Sequence, residues 1–247
     1  MFNTIDDLRN SRAIIREFWE KYRDIGDTLS AQDMFVMPIL NRMAEINDAF
    51  NELTRPDNYN YLGAVPLVRL QIDTLLYTYA GTLVDDFIEF LKCFMAGDKW
   101  TKLKDREGKE LKESYLVDKL CQLYKTDEFK RIYKGASDFI HLSNNHLFTT
   151  IWTNETSMGQ RVGDYTVPEN EQDLMNIMLG INALIFRILV FSYVTTRVEE
   201  MRRIKELQAQ YPDKSVDDIY AEFAYNDTRL HQLFFGQLRQ QENENKG

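Results

Sequence analysis

The sequence predicts an all-α protein, a single-domain multi-helix bundle with long central helices and a small charged hairpin-like insert. Three observations predict it. Only 11 Gly and 5 Pro occur in 247 residues, too few to punctuate many short strands. Apolar residues recur over long stretches at the three- and four-residue intervals of a helix face. Residues able to cap a helix, Thr4, Ser30 and Ser215, stand just ahead of such stretches.

The first helix is expected from Thr4 to about Arg23, with acidic residues at its positive end and Ile14, Ile15, Phe18, Trp19 and Tyr22 on an apolar face. Gly26 and Asp27 break it. Ser30 caps a second helix from Ala31 to about Leu53, bent at Pro38. After the loop at Thr54 comes one long apolar helix from Gly63 to Met95, with a bend at Gly81. The run from Gly97 to Glu113 is densely charged, turns at Asp105 to Gly108, and predicts an exposed hairpin-like insert. Two shorter helices follow, about Ser114–Tyr124 and Asp127–Thr150. Thr153 to Pro168 is a polar loop whose Arg161–Val167 portion can pair as a hairpin arm. A last long apolar helix runs from about Asn170 to Gln210. Ser215 and Asp218 then open a further amphipathic helix with capping-box spacing. Residues 1–239 are expected to form the domain, and 240–247 a polar tail with nothing to pack.

Charge and composition narrow the function classes. A net charge of −9 argues against a broad basic surface for nucleic acid. Cys93 and Cys121 sit in apolar helical contexts, as reduced core thiols of a cytoplasmic protein do. The N-terminus lacks the basic and apolar regions of a secretory signal. Leu174–Val194 approaches the length of a membrane span, but Arg187 lies inside it at an insertion cost of roughly 2.5–3.5 kcal/mol. Asn176 and Asn182 add to that cost. The leading expectation is a buried bundle helix and no membrane, with membrane association through this segment as an alternative.

The densest group of reactive side chains lies between Tyr133 and Phe148, where Tyr133, Ser137 and His141 follow one another at four-residue spacing along one helix edge. His141 and His146 are five apart, about 140° and −80° from the apolar stripe through Ala136, so their rings point to different sides. That spacing misfits a zinc pair, and neither a metal nor a cofactor is expected. Functionally, His141 is a candidate general base oriented by Ser137 or Asn144; structurally, it is a histidine bonded to a carbonyl at the domain edge. On the long helix, Arg69 stands four residues before Asp73 and about 60° from the centre of the apolar stripe. An Arg that close to a core has a partner there: Asp73, another acid or a ligand anion. The catalytic candidates are thus His141, Arg69 and Ser137, with Asp73, Tyr133, Asn144 and His146 as ligand or interface candidates. The basic residues Arg197, Arg202, Arg203 and Lys205 alternate with acids and read as a solvated helix face. Phosphate-loop, dinucleotide, nucleophile-elbow and CxxC motifs are absent from the sequence.

The succession VRLQIDTLLYTY, a charged insert, SYLVDKLCQLYK and YKGASDFIHLSNNHLF resembles an uncharacterised bacterial all-helical family that is distantly similar to the HEPN superfamily, whose members include RNA-cleaving toxins and defence effectors. The resemblance spans Ala64 to Phe148 and marks Arg69, Asp73, Tyr133, Ser137, His141 and Ser143. It implies a helical fold, dimerisation, and a role in phage defence or partner binding. Active HEPN ribonucleases carry an Arg followed by four to six residues and then a His; here the upstream candidate for His141 is Arg131, with nine residues between. The function expected is therefore a non-catalytic, HEPN-like binding or defence-associated module working as a homodimer. The alternative is an RNA- or nucleotide-directed hydrolase using His141 with Arg69.

Overall fold

A computed structural model describes residues 2–26, 30–57, 59–140, 151–153, 158–160 and 171–219. The helices are α1 (Ile5–Arg9), α2 (Ser11–Arg23), α3 (Ala31–Leu53), α4 (Tyr61–Leu83), α5 (Phe87–Met95), α6 (Glu113–Tyr124), α7 (Glu128–Ile140), α8 (Glu171–Ile188), α9 (Thr195–Gln210) and α10 (Val216–Ile219). A π-helical stretch, Leu189–Val194, joins α8 to α9 without a break. The protein is an all-α multi-helix bundle, as its periodicity predicts.

Capping chemistry sets the helix starts. Thr4 and Ser30 each accept a hydrogen bond from the backbone N–H three residues on, and Asp7 and Asp33 reciprocate toward the cap backbone. Ser215 and Asp218 repeat the arrangement ahead of α10.

Two helices expected to be continuous are divided. The first breaks at Asn10, whose side chain donates to the Asp6 carbonyl and whose turn redirects the chain so that Leu8 and Ile15 are both buried. The segment 63–95 breaks at Val84, which is extended, and Asp86 then caps α5 by accepting from the Glu89 N–H. The bend expected at Gly81 is not where the chain turns. Gly81 instead admits the hydroxyl of Tyr193, which donates to the Thr78 carbonyl at 3.0 Å.

The charged insert folds as a compact turn with a single antiparallel bridge, Lys104 to Glu110, preceded by a 3-10 turn at Trp100–Lys102. Asp105 organises it. One carboxylate oxygen accepts from the N–H groups of Glu107 and Lys109, and the other from the Tyr115 hydroxyl, with Lys119 at 3.6 Å. Burial alone would raise the Asp105 pKa, but these donors outweigh it and hold the carboxyl below its usual range. Arg106 carries the insert back to the α4 terminus by bonding the Leu83 and Val84 carbonyls, which the helix end leaves free. Ile151–Thr153 and Met158–Gln160 pair as a short antiparallel hairpin, upstream of the arm expected at 161–167, which lies outside the described residues.

The core gathers around α4, which packs against α3, α5, α6, α7 and α8. Phe35 stands at one end of it, with the rings of Tyr77, Phe87, Phe90, Phe94 and Tyr193 at 5.5 to 5.9 Å. A cluster of three fully buried amides crosses the middle: Asn47 and Asn182 exchange bonds at 2.9 and 3.0 Å, and Gln71 donates to Asn182 at 2.8 Å. A smaller cluster of Met201, Ile204 and Ile219 holds α10 to α9.

Arg197 is corrected from the solvated face expected of it. It is 1% exposed and pairs with Asp33 at 3.2 Å and Glu200 at 3.4 Å, which fastens α9 to the start of α3. Burial, and then the negative charge of Asp33, push the neighbouring Tyr22 hydroxyl far above its ordinary pKa.

A methyl group at Gly81 would collide with the Tyr193 hydroxyl and press on the Phe35 ring. Ala ordinarily gains about 1 kcal/mol over Gly in a helix. Here Gly81→Ala is expected to lose about 1–3 kcal/mol in urea denaturation, through overpacking. Adding Tyr193→Phe should make the double variant less unstable than the two losses predict, because the colliding oxygen is gone. Simple additivity would refute the close contact.

Candidate functional site

Three helices bring one arginine into a shared polar cluster. Arg69 and Asp73 lie one turn apart on α4, Tyr133 and Ser137 one turn apart on α7, and Glu113 is the first residue of α6. The Arg69 side chain is only 10% exposed, whereas Asp73 and Glu113 retain 36% and 40%. The guanidinium is therefore buried and its carboxylates form the rim.

Its donors are closely matched. Nε donates to Ser137 Oγ at 3.0 Å, one terminal nitrogen donates to Asp73, and the other donates to Glu113 at 2.7 Å and reaches the Tyr133 hydroxyl at 3.5 Å. The guanidinium carbon also lies 4.7 Å from the Tyr133 ring centre, in cation–π contact. The Tyr133 hydroxyl donates to the same Glu113 oxygen at 2.7 Å, and Ser137 donates to the Tyr133 carbonyl at 2.7 Å.

Sequence reasoning selected Arg69 with Asp73 on one helix and Tyr133 with Ser137 on another, and the fold brings the two pairs together. His141, Asn144 and His146 lie outside the described residues. Glu113 was missed: it is 44 positions from Arg69 and ends a run of charges that reads as solvent-facing. The one usable signal was its place at a helix start, where an acid is favoured by the helix dipole.

The chemistry of the cluster is constrained by these bonds. The Ser137 proton is committed to a backbone carbonyl and its oxygen accepts from a cation, so no described base is placed to activate it as a nucleophile. The Tyr133 phenol is pushed above its ordinary pKa, first by burial and then by its bond to Glu113 and that residue's charge, with Arg69 opposing. It is a poor base at neutral pH. One cation faces two carboxylates, so the cluster carries formal charge −1 with Arg69, Asp73 and Glu113 ionised. A phosphate approaching Arg69 meets this negative rim first.

The chain matches no family model, no curated protein and no solved structure.

Among the described residues, no group of three or more His, Cys, Asp or Glu is placed to hold a metal ion. A shallow surface depression of about 350 Å³ lies at the C-terminal end of α6, lined by Asp118, Cys121, Gln122, Lys125, Thr126 and Asp127. It is away from Arg69 in sequence and shares none of its ligands.

Removing the Arg69 side chain leaves two carboxylates facing each other without a cation. Arg69→Ala is expected to cost about 2–3 kcal/mol in chemical denaturation, below the roughly 3–5 of a fully buried pair because the acids keep contact with water. An unchanged midpoint would show that the pairs contribute nothing net.

Tyr133 adds a pH signature. Its folded pKa is raised above the ordinary value of 10.0, so the folded state holds the proton longer than the unfolded chain. The stability tied to it is complete below about pH 10 and is lost as pH rises toward the folded value. The denaturation midpoint should fall less steeply above pH 10 in Tyr133→Phe than in the wild type. Identical slopes would exclude this linkage.

Proposed function

We propose that this chain is a non-catalytic, HEPN-like helical module that acts by binding, as a homodimer in the bacterial cytoplasm, in a defence-associated role. The observation that carries the reading is the engagement of Arg69 by Asp73, Glu113 and Ser137. A cation so matched inside the fold serves packing and register, and its acidic rim disfavours phosphate. No Arg in the sequence is followed by four to six residues and then a His, which supports the same reading. RNA or a nucleotide stays among the partners to be assayed, as a ligand bound elsewhere on the surface.

One observation favours a second reading, an RNA- or nucleotide-directed hydrolase using His141 with Arg69. Ser137, bonded to Arg69, precedes His141 by four residues in the sequence. In that reading His141 is the base, Ser137 and Asn144 orient it, and Arg69 stabilises an anion. A third reading, membrane association through Leu174–Val194, draws on the helix Asp173–Gln210, which is long and apolar enough to cross a bilayer while 44% of its most apolar window is buried in the fold.

The experiment is a turnover assay of the purified full chain on single-stranded RNA and nucleoside triphosphates, with His141→Ala and Arg69→Lys alongside. The expected result is no product above the no-protein control in any of the three. Turnover by the wild type that disappears in His141→Ala would replace this reading with the hydrolase. Recovery of the untagged chain only with detergent would replace it with the membrane reading.

A further inference from the structure

The outward face of α8 carries two opposite charges in a regular position about an exposed glycine. Asp173, Ile177, Gly180, Leu184 and Arg187 follow one another at three- and four-residue spacing, within an arc of about 80° at 100° per residue. All five are exposed or half-buried in the single chain. Phe191 continues the stripe and is 74% exposed. Gly180, at the middle, has open space where a side chain would project.

Asp173 and Arg187 each lie seven residues from Gly180, on opposite sides of it. They are about 21 Å apart along the axis at 1.5 Å per residue, too far to pair within one helix. Neither has an ion-pair partner among the described residues. The stripe is nevertheless complementary to itself. A two-fold axis through Gly180 lays a second α8 antiparallel on the first and sets Asp173 of each copy against Arg187 of the other. Parallel pairing would instead oppose like charges. Glycine at the crossing lets two backbones approach closely, and Ile177 and Leu184, which pack against the core on one side and are half-buried, flank it.

We propose that this face of α8 is the homodimer contact, isologous about Gly180, with two reciprocal Asp173–Arg187 ion pairs. The inference rests on the homodimer reading above and names its surface. The occupant is a second copy of this chain because the charge pattern fits its own reverse.

The test is sedimentation equilibrium of the full chain with Asp173→Arg, Arg187→Asp, the double charge exchange, and Gly180→Cys. These positions are exposed, so the thermal melt of each variant at low concentration checks that the fold is kept. Each single charge reversal is expected to weaken the dimer about tenfold or more by juxtaposing like charges. The double exchange should restore it. The thiol introduced by Gly180→Cys, lying on the axis, should form an interchain disulfide under mild oxidation that the native Cys93 and Cys121 do not form in the wild type. A wild type monomeric at all accessible concentrations overturns the homodimer reading and this surface together. A wild-type dimer that ignores both charge reversals, with the Gly180→Cys thiol left unlinked, overturns the surface alone. Association of the chain with lipid vesicles through the same residues in place of self-association would also overturn it.

Discussion

The arrangement of the long helices turns on the buried amides Asn47, Gln71 and Asn182, one each from α3, α4 and α8. A carboxamide has two donor hydrogens and an acceptor oxygen, and away from water each group left unpaired costs about 1–3 kcal/mol. Apolar ridges can slide past one another with modest loss, but a reciprocal amide pair cannot. A one-residue slip of α4 rotates Gln71 by about 100° and leaves it facing hydrocarbon. The amides therefore fix the rotation of α4 about its own axis. That rotation decides the rest: Arg69 lies two residues before Gln71, about 200° around the helix, and so faces α6 and α7 when Gln71 faces α3 and α8.

Two arginines, Arg69 and Arg197, are buried by the same logic in different places. Each leaves its helix toward an acid that opens another: Glu113 at the first turn of α6, and Asp33 at the first turn of α3. An acid there is already favoured by the helix dipole, so the arginine completes a charge that the helix end has placed. Planar guanidinium groups suit this because several fixed donors can reach ligands on different helices at once. The consequence for function is chemical. A site built to present a cation to phosphate leaves donors open, whereas Arg69 is enclosed by a serine, a tyrosine and two carboxylates.

Much of the fold was legible because it depends on local signals. The caps at Thr4, Ser30 and Ser215 and the apolar period of α3, α4 and α8 are properties of short windows of sequence. The pairing of Arg69 with Asp73 was legible for the same reason, being one helical turn. The break at Val84–Asp86 was missed because apolar residues continue on both sides of it, although Asp86 with Glu89 three residues later has the spacing of a helix start. Glu113 and the burial of Arg197 were not legible. Both depend on which helix lies opposite, and their own neighbourhoods are charged runs that resemble a solvated surface. His141 could be ranked from the sequence but is not among the described residues, so the polar margin of α7 is established as far as Ser137.

The long C-terminal helix shows how a change of helical winding serves both faces. Ile185, Leu189, Tyr193, Arg197 and Met201 are all buried, at a strict four-residue interval. In an α-helix of 3.6 residues per turn, each such step overshoots by about 40°, and four steps would carry the row to the solvent side. The π-helical turns of Leu189–Val194 take in an extra residue per bond and cancel much of that drift. Tyr193 can then reach Thr78 beneath Gly81, and Arg197 can reach Asp33, from one continuous helix. The same winding keeps Phe191 and Val198 outward, where they are 74% and 49% exposed. Straightening the stretch to regular α-helix would pull Arg197 from its acid or Leu189 from the core. The π turns are thus the local irregularity that lets a single helix hold the bundle together along its inner side while Phe191 and Val198 stay outside.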